Sequence, residues 1–445
     1  MSEFSESRRL LIRRTLENAS LIPFYQEHWN EVLSGRYLQD LDLTDFPMLD
    51  KSKYRERYMF DTRSLTEASL VTHTSGTSGE LTWRHRTNIE AGVVATVFEK
   101  LLTHNVERPL VLSVQYGRHG MGMPMPSNCD VFPIALSDET ELLQAIAATR
   151  TPFHIGGTPR FPTVLTGGVQ HIALLAQARL DRGYGPETSS IKQIHCMGYC
   201  DPTIRNFVRY AFNEPRLIED FSMAEVFGSS TREWPDAYFH SARHMFSEVI
   251  SLQDGHRVNE GEVGELVLTE LFPFTMMQPL IRYRTGDIVR CIKCSPEGEV
   301  SFQWLGRESD CPQLVSQTGK SEFAYFYRPF SDWLSLQPMI ARASRQSYLP
   351  ISSHDYGPPC FSHRIADDSK RLTIVIGLTY NPWLHQSASR DLGEKIFMHI
   401  SESWRAPDTL RSQLELHFVH VRKDIDEASW MRSQPGFKLT CALQE

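Results

Sequence analysis

Apolar positions at Leu10, Leu11, Ile12, Leu16 and Leu21 recur at helical spacing through LLIRRTLENASLIPFYQEHW, and they predict a helix up to about Asn18. A second amphipathic helix is predicted over 89–102, followed by a short strand at VLSVQY and another around 131–135. DETELLQAIAAT reads as a helix with an acidic start, and 170–180 as a long helix with a buried face. The strand IKQIHCM, the helix PTIRNFVRYAF and the strand RLIEDF come next. This alternation predicts an α/β domain with substantial parallel pairing.

Beyond Phe246 the period shortens and strands dominate: FSEVISLQ, GELVLTEL, DIVRCIK and EVSFQWLG. They read as an antiparallel or barrel-like addition to the same domain. After Asp310 a strand (RLTIVIGLTY), a helix (SRDLGEKIFMHISESW) and a strand (LELHFVHV) form a βαβ pattern, expected to be a small α+β lid. The expected organisation is therefore a large N-terminal domain over 1–310 and a C-terminal lid over 311–445. A chain of 445 residues is long enough for that division.

Composition narrows the partners. An apolar share of 41% and a charged share of 22% are those of an ordinary folded chain. The net charge of −8 is spread along the sequence, which argues against binding nucleic acid by phosphate neutralisation. The N-terminus lacks the apolar core of a signal peptide, and no apolar run reaches bilayer length. Eight scattered cysteines suit reduced thiols, so the expectation is a cytoplasmic protein without a membrane or nucleic-acid partner.

One stretch fits none of these elements. THTSGTSGE, over 72–80, is almost entirely Thr, Ser and Gly and is expected between the strand SLVTH and a helix. No Walker A spacing passes through Gly76 or Gly79, and GTSG lacks the GxSxG spacing of a nucleophile elbow. Two readings stay open at this point: a surface turn, or a phosphate clamp built from exposed backbone N–H groups and hydroxyls.

Other segments bear on that choice. THTSGTSGE resembles the TSGTTG phosphate loop of the adenylate-forming acyl-CoA synthetase superfamily, in its phenylacetate–CoA ligase-like branch. DFSMAEVFG (220–228) resembles that branch's DxYGxTE segment, while GEVGELVLTEL (261–271) and PLIRYRTGD (279–287) are similar to its GELVxT and RYRTGD segments. LGRESD (305–310) resembles the GRxDD hinge, and the opening LENASLIPFYQEHW with DFPMLDKSKYRE is also similar. The segments occur in the family's order over most of the first 310 residues.

The resemblance implies activation of a carboxylic acid as acyl-AMP, using ATP and Mg²⁺, with transfer to the thiol of CoA. Thr74, Ser75, Gly76, Thr77, Ser78 and Gly79 would cradle the β- and γ-phosphates, and Glu225 would help bind Mg²⁺. Asp287 would accept from the ribose hydroxyls, Arg307 would contact ribose or phosphate, and Phe221 would lie near adenine. Asp310 would be the hinge of the lid. Lys438, in SQPGFKLTCALQE, would be the catalytic lid lysine, with Lys320 a second basic candidate. Tyr116, Gly117 and His119, in QYGRHGMGMPMP, together with Gly198 and Tyr199, would line the acid pocket.

The sequence also departs from the family. Tyr-Gly-x-Thr-Glu is replaced by Phe221, Ser222, Met223, Ala224 and Glu225, and Gly198-Tyr199 stands where Gly-Glu is frequent before the helix at Thr203. No lysine follows the phosphate loop, and Arg84 and Arg86 are the candidates to supply its charge. Two alternatives remain beside CoA: transfer to a carrier-protein phosphopantetheine or an amine, and a non-catalytic binding protein on the same fold. Cys291 and Cys294, with Cys311 further on, are read as structural or as part of a zinc site, and His73 as touching substrate or packing.

Overall fold

The computed structural model describes residues 3–56, 68–73, 83–103, 108–114, 126–221, 223, 225–226, 228–315, 319, 321–342, 357–366, 371–404, 413–421 and 437–440. The chain divides into two compact units, one formed by Met1–Tyr199 with Arg209–Trp304, the other by Cys200–Val208 with Leu305–Glu445.

The first unit opens with helices α1 (Glu3–Ser20), α2 (Pro23–His28), α3 (Asn30–Leu33) and α4 (Lys51–Glu56). Leu16 and Ala19 of α1 are buried, but Leu10 and Leu21 are exposed, so the buried stripe is narrower than the sequence pattern. Strand β1 (Ala68–His73) pairs antiparallel with β2 (Trp83–Thr87), and α5 (Asn88–Leu102) follows directly. Thr87 caps α5 in a capping box: its backbone N–H donates to Glu90 Oε2 at 2.6 Å, and its hydroxyl accepts from the Glu90 N–H at 3.2 Å. The Thr/Ser/Gly stretch thus joins two strands, where the sequence predicted a strand running into a helix.

The reason is that WRHRT alternates with charged residues on its buried side. Arg84 and Arg86 are both almost fully buried. Arg84 Nη2 lies 2.6 Å from Glu270 Oε2 and 3.0 Å from Thr275 Oγ1, Arg84 Nη1 donates to the Gln278 carbonyl, and Arg86 Nη2 lies 3.5 Å from Glu270 Oε1. Both arginines thus hold β2 to Glu270, at the base of the hairpin.

Strands β3 (Leu110–Val114) and β4 (Asp130–Ile134) precede α6 (Glu139–Ala148), a small hairpin of β5 (Phe153–Ile155) and β6 (Thr158–Arg160), and β7 (Val164–Gly168). Then come α7 (Val169–Asp181), β8 (Gln193–Met197), α8 (Pro202–Ala211) and β9 (Arg216–Phe221). The later strands are β10 (Ser230–Glu233), β11 (Phe239–Ser241), β12 (Met245–Ile250), β13 (Val263–Glu270), β14 (Tyr283–Cys294) and β15 (Val300–Arg307). Eleven of these form one sheet in the order β12-β13-β14-β15-β11-β10-β9-β8-β7-β3-β4. Strands β4, β3, β7, β8 and β9 are mutually parallel, as the βα alternation predicts. From β10 onward the pairing is antiparallel, so the expected antiparallel addition extends the same sheet. Strand β9 is the seam, parallel to β8 and antiparallel to β10. The helical opening packs on the antiparallel half, with Tyr25, Trp29, Phe46 and Leu49 buried among Leu266, Leu268, Tyr283 and Phe302.

The second unit holds a hairpin of β16 (Gln313–Val315) and β17 (Ser321–Phe323), helix α9 (Tyr327–Ser335), strands β18 (Phe361–Ile365) and β19 (Leu372–Leu378), helix α10 (Gln386–Trp404), β20 (Leu414–His420) and β21 (Phe437–Thr440). β19 and β20 are parallel across α10, the βαβ pattern expected there, with β18 and β21 antiparallel on the outside. Arg342 Nη1 lies 2.8 Å from Asp201 Oδ2, which ties the start of α8 into this unit. No described helix is long and apolar enough to cross a membrane.

Candidate functional site

The segment RYRTGD builds the first half of the site. Arg282 Nε lies 3.0 Å from the buried Glu248 Oε2, and its Nη1 donates to the Thr44 and Phe46 carbonyls at 3.1 and 2.7 Å. Arg284 Nη2 lies 2.6 Å from Glu265 Oε2, and its Nη1 lies 3.4 Å from Asp50 Oδ1. Between them Leu49 is clipped to β14 by backbone bonds with Arg282 and Arg284 at 2.9 and 3.0 Å. The two arginines therefore lay the stretch 44–50 along the strand. Tyr283, pointing the other way by the alternation of a strand, donates from its hydroxyl to Glu225 Oε1 at 3.1 Å. Lys51, the first residue of α4, reaches the same oxygen, with Nζ at 3.0 Å. Glu225 is buried and Lys51 is only partly so.

The second half is an aromatic surface. Asp287 is 1% exposed, and the Trp304 indole N–H donates to its Oδ1 at 3.1 Å. The Trp304 ring lies 5.7 Å from Phe221 and 5.5 Å from Tyr199, centroid to centroid, and Phe221 also meets Phe239 and Phe302 at 5.6 and 5.5 Å. Arg232 sits under this surface, 5.2 Å from the Tyr199 ring and 4.8 Å from Phe239, with Nη2 at 2.6 Å from Glu219 Oε2. Burial works against its charge, but Glu219 and Tyr199 more than offset this and hold its pKa above the ordinary value. Gly198 has φ +97° and open space where a Cβ would stand, so the backbone turn and not crowding calls for glycine there.

Of the residues singled out in the sequence, Glu225 lies in the first half, and Phe221, Asp287 and Tyr199 lie in the second. Residues 74–79, Tyr116, Gly117, His119, Ser222, Ala224 and Lys320 lie outside the described residues, and His73 ends β1. Arg307 is exposed at the end of β15, and Asp310 closes the single 3₁₀ turn Glu308–Asp310 that follows. Lys438 lies on β21 opposite His417 of β20. Cys291 and Cys294 form a disulfide with Cα atoms 6.5 Å apart. That departs from the expectation of reduced thiols throughout. Among the described residues, Cys129, Cys196, Cys200, Cys311 and Cys360 form no disulfide.

Lys51, Tyr283, Trp304 and the Arg232–Glu219 pair were not singled out from the sequence. Lys51 and Trp304 lie inside or beside segments that were, but neither carries a chemical signature of its own.

The Mg²⁺ that the resemblance implies can be tested against Glu225. Mg²⁺ bound to nucleotide phosphates needs only one or two protein carboxylates, so this side chain fits, although its Oε1 already faces the Lys51 ammonium. Among the described residues no group of three His, Cys, Asp or Glu side chains converges, so Glu225 is the single carboxylate this fit rests on. The buried Asp287 beside an aromatic surface fits a ribose and a purine.

The fold is that of the adenylate-forming acyl-CoA ligases, with a large N-terminal and a small C-terminal domain. A 2-hydroxyisobutyryl-CoA ligase, solved in the postadenylation state with 2-HIB-AMP, superposes with TM-score 0.66 at 16% identity, covering 96% of this chain and 90% of that one. The same ligase in an open conformation with 2-HIB-AMP and CoA gives TM-score 0.62 at 15% identity, over 95% and 90% of the two chains. In sequence the chain is similar to a phenylacetate-coenzyme A ligase of Thermus thermophilus, 24% identical over 296 residues. That match spans 60% of this chain and 61% of the relative's length. No family model matches the chain.

Proposed function

We propose that this protein activates a carboxylic acid with ATP and passes the acyl group to the thiol of CoA. Two observations support the reading: Glu225 is held by Tyr283 and Lys51, and Asp287 is held by Trp304, whose ring lies against Phe221 at the end of β9 and against Tyr199. The similarity to a phenylacetate-coenzyme A ligase and to a ligase solved with its acyl-AMP and CoA supports it.

In the first step a carboxylate oxygen of the acid attacks the α-phosphorus of ATP, and pyrophosphate leaves. In the second the CoA thiolate attacks the acyl carbon, and AMP leaves. Asp287, its Oδ1 fixed by the Trp304 N–H, accepts from ribose hydroxyls. Phe221, Tyr199 and Trp304 offer the purine an aromatic face. Mg²⁺, when bound at Glu225, supplies charge neutralisation for the phosphates. Residues 74–79 bind the β- and γ-phosphates, Arg307 contacts ribose or phosphate, and Asp310 is the hinge about which the 311–445 lid turns to bring Lys438 to the forming phosphate ester.

Acid-dependent exchange of labelled pyrophosphate into ATP tests the reading. Some member of a panel of aromatic and aliphatic acids is expected to support exchange, and Asp287→Ala to lower kcat/KM for ATP by about 10- to 100-fold. Absence of exchange with every acid overturns the proposal.

A further inference from the structure

Strand β9 carries two adjacent carboxylates on opposite faces of the sheet. Glu219 is paired with Arg232. Asp220 is 3% exposed, and among the described residues neither of its carboxylate oxygens has a hydrogen-bond partner. Its place in the sheet is informative. In register it stands beside Met197 at the end of β8, which stands beside Gly168 at the end of β7, with Thr231 of β10 on the other side. Paired positions share a face, so the Asp220 side chain projects from the surface that includes Met197 and the bare backbone of Gly168. A Cβ on Gly168 would stand 3.1 Å from Nδ1 of His171, which places that imidazole on the same face. This is the carboxyl end of the parallel strands, beside the seam where the pairing changes direction, the place where open α/β sheets take their ligands.

An ionised carboxylate without a partner is costly to bury, and burial alone pushes Asp220 up to about 7. The same burial pushes His171 down to about 4, so it is neutral and does not serve as the counter-charge. What is missing is a donor, and a ligand that brings one gains a charge-assisted hydrogen bond in a site shielded from water.

We propose that Asp220 is the specificity residue for the acid substrate, receiving an amino group that the carboxylic acid carries. The proposal rests on the acid-activation reading and names its substrate class, an amino-bearing carboxylic acid. An acid lacking the amine would leave Asp220 buried and unpaired, which is the arrangement that yields strong rejection of unsubstituted analogues.

The test compares twins: 2-, 3- and 4-aminobenzoate against benzoate, and phenylalanine and β-alanine against 3-phenylpropionate and propionate. Pyrophosphate exchange is measured alongside calorimetric binding for the wild type, Asp220→Asn and Asp220→Ala. At least one amino-bearing acid is expected to exceed its twin about 100-fold in kcat/KM in the wild type. The ratio should fall to within about 3-fold in Asp220→Ala and by at least about 10-fold in the near-isosteric Asp220→Asn, which serves should the alanine variant not fold. Twins used equally by the wild type, or a preference that survives both substitutions, overturn the assignment and leave acid activation standing. Binding of an amino-bearing acid that depends on Asp220, without exchange for any acid, overturns activation and keeps the assignment. Neither binding nor exchange for any of these acids overturns both.

Discussion

The two faces of β9 show what a buried acid looks like with and without a structural task. Glu219 has an arginine at 2.6 Å, and the arginine in turn lies beneath two aromatic rings. Asp220, one residue on, has no hydrogen-bond partner among the described residues. The first arrangement is complete in the protein alone, because each charge is compensated. The second is incomplete, and an incomplete buried carboxyl at the ligand end of a sheet points to chemistry that arrives from outside.

The contrast can be broken most forcefully at Glu219. Glu219→Ala strands the Arg232 guanidinium in a nearly dry site and should cost about 3–5 kcal/mol in chemical denaturation, by analogy with other broken buried pairs. A loss below about 1 kcal/mol would mean that the pair is not the compensated unit described.

Asp220→Asn should behave in the opposite sense. The wild-type carboxyl has its pKa raised from 3.8 to about 7, so its favourable contribution is complete below about pH 4 and is lost as pH rises through 7. Stability of the variant relative to wild type should therefore increase between pH 4 and pH 8, by up to about 4 kcal/mol. His171 and His195, both lowered to about 4 by burial, lose stability as the solution is acidified, but they are common to both proteins and cancel in the difference. A pH-independent difference in denaturant midpoints would remove the distinction between the two acids.

The smallest effect is expected at Trp304. Trp304→Phe keeps a ring against Tyr199 and Phe221 but removes the N–H held by Asp287. It should raise KM for ATP about 10-fold with kcat nearly unchanged. An unchanged KM would detach Asp287 from nucleotide binding.

Much of the architecture was legible because hydrophobic period reports which face is buried. The alternation from 89 to 221 gave the parallel strands and their helices, and RYRTGD marked the strand that organises the site. The hairpin was misread because Arg84 and Arg86 are the residue type least expected in a core, and their shared partner Glu270 lies 186 positions beyond Arg84. Lys51 was invisible for a similar reason: its reach to Glu225 depends on Leu49 being laced to β14, a contact between distant parts of the chain. Asp220 could be assigned a face from alternation, but an absent partner has no signature in a sequence.

The guanidinium clamp beneath β1 and β2 sets a rule for how this protein can vary. Both guanidinium groups sit on β2, so the clamp depends on the residue spacing within that strand. A single residue inserted between Arg84 and Arg86 would swing one of them to the opposite side and leave Glu270 facing half its complement.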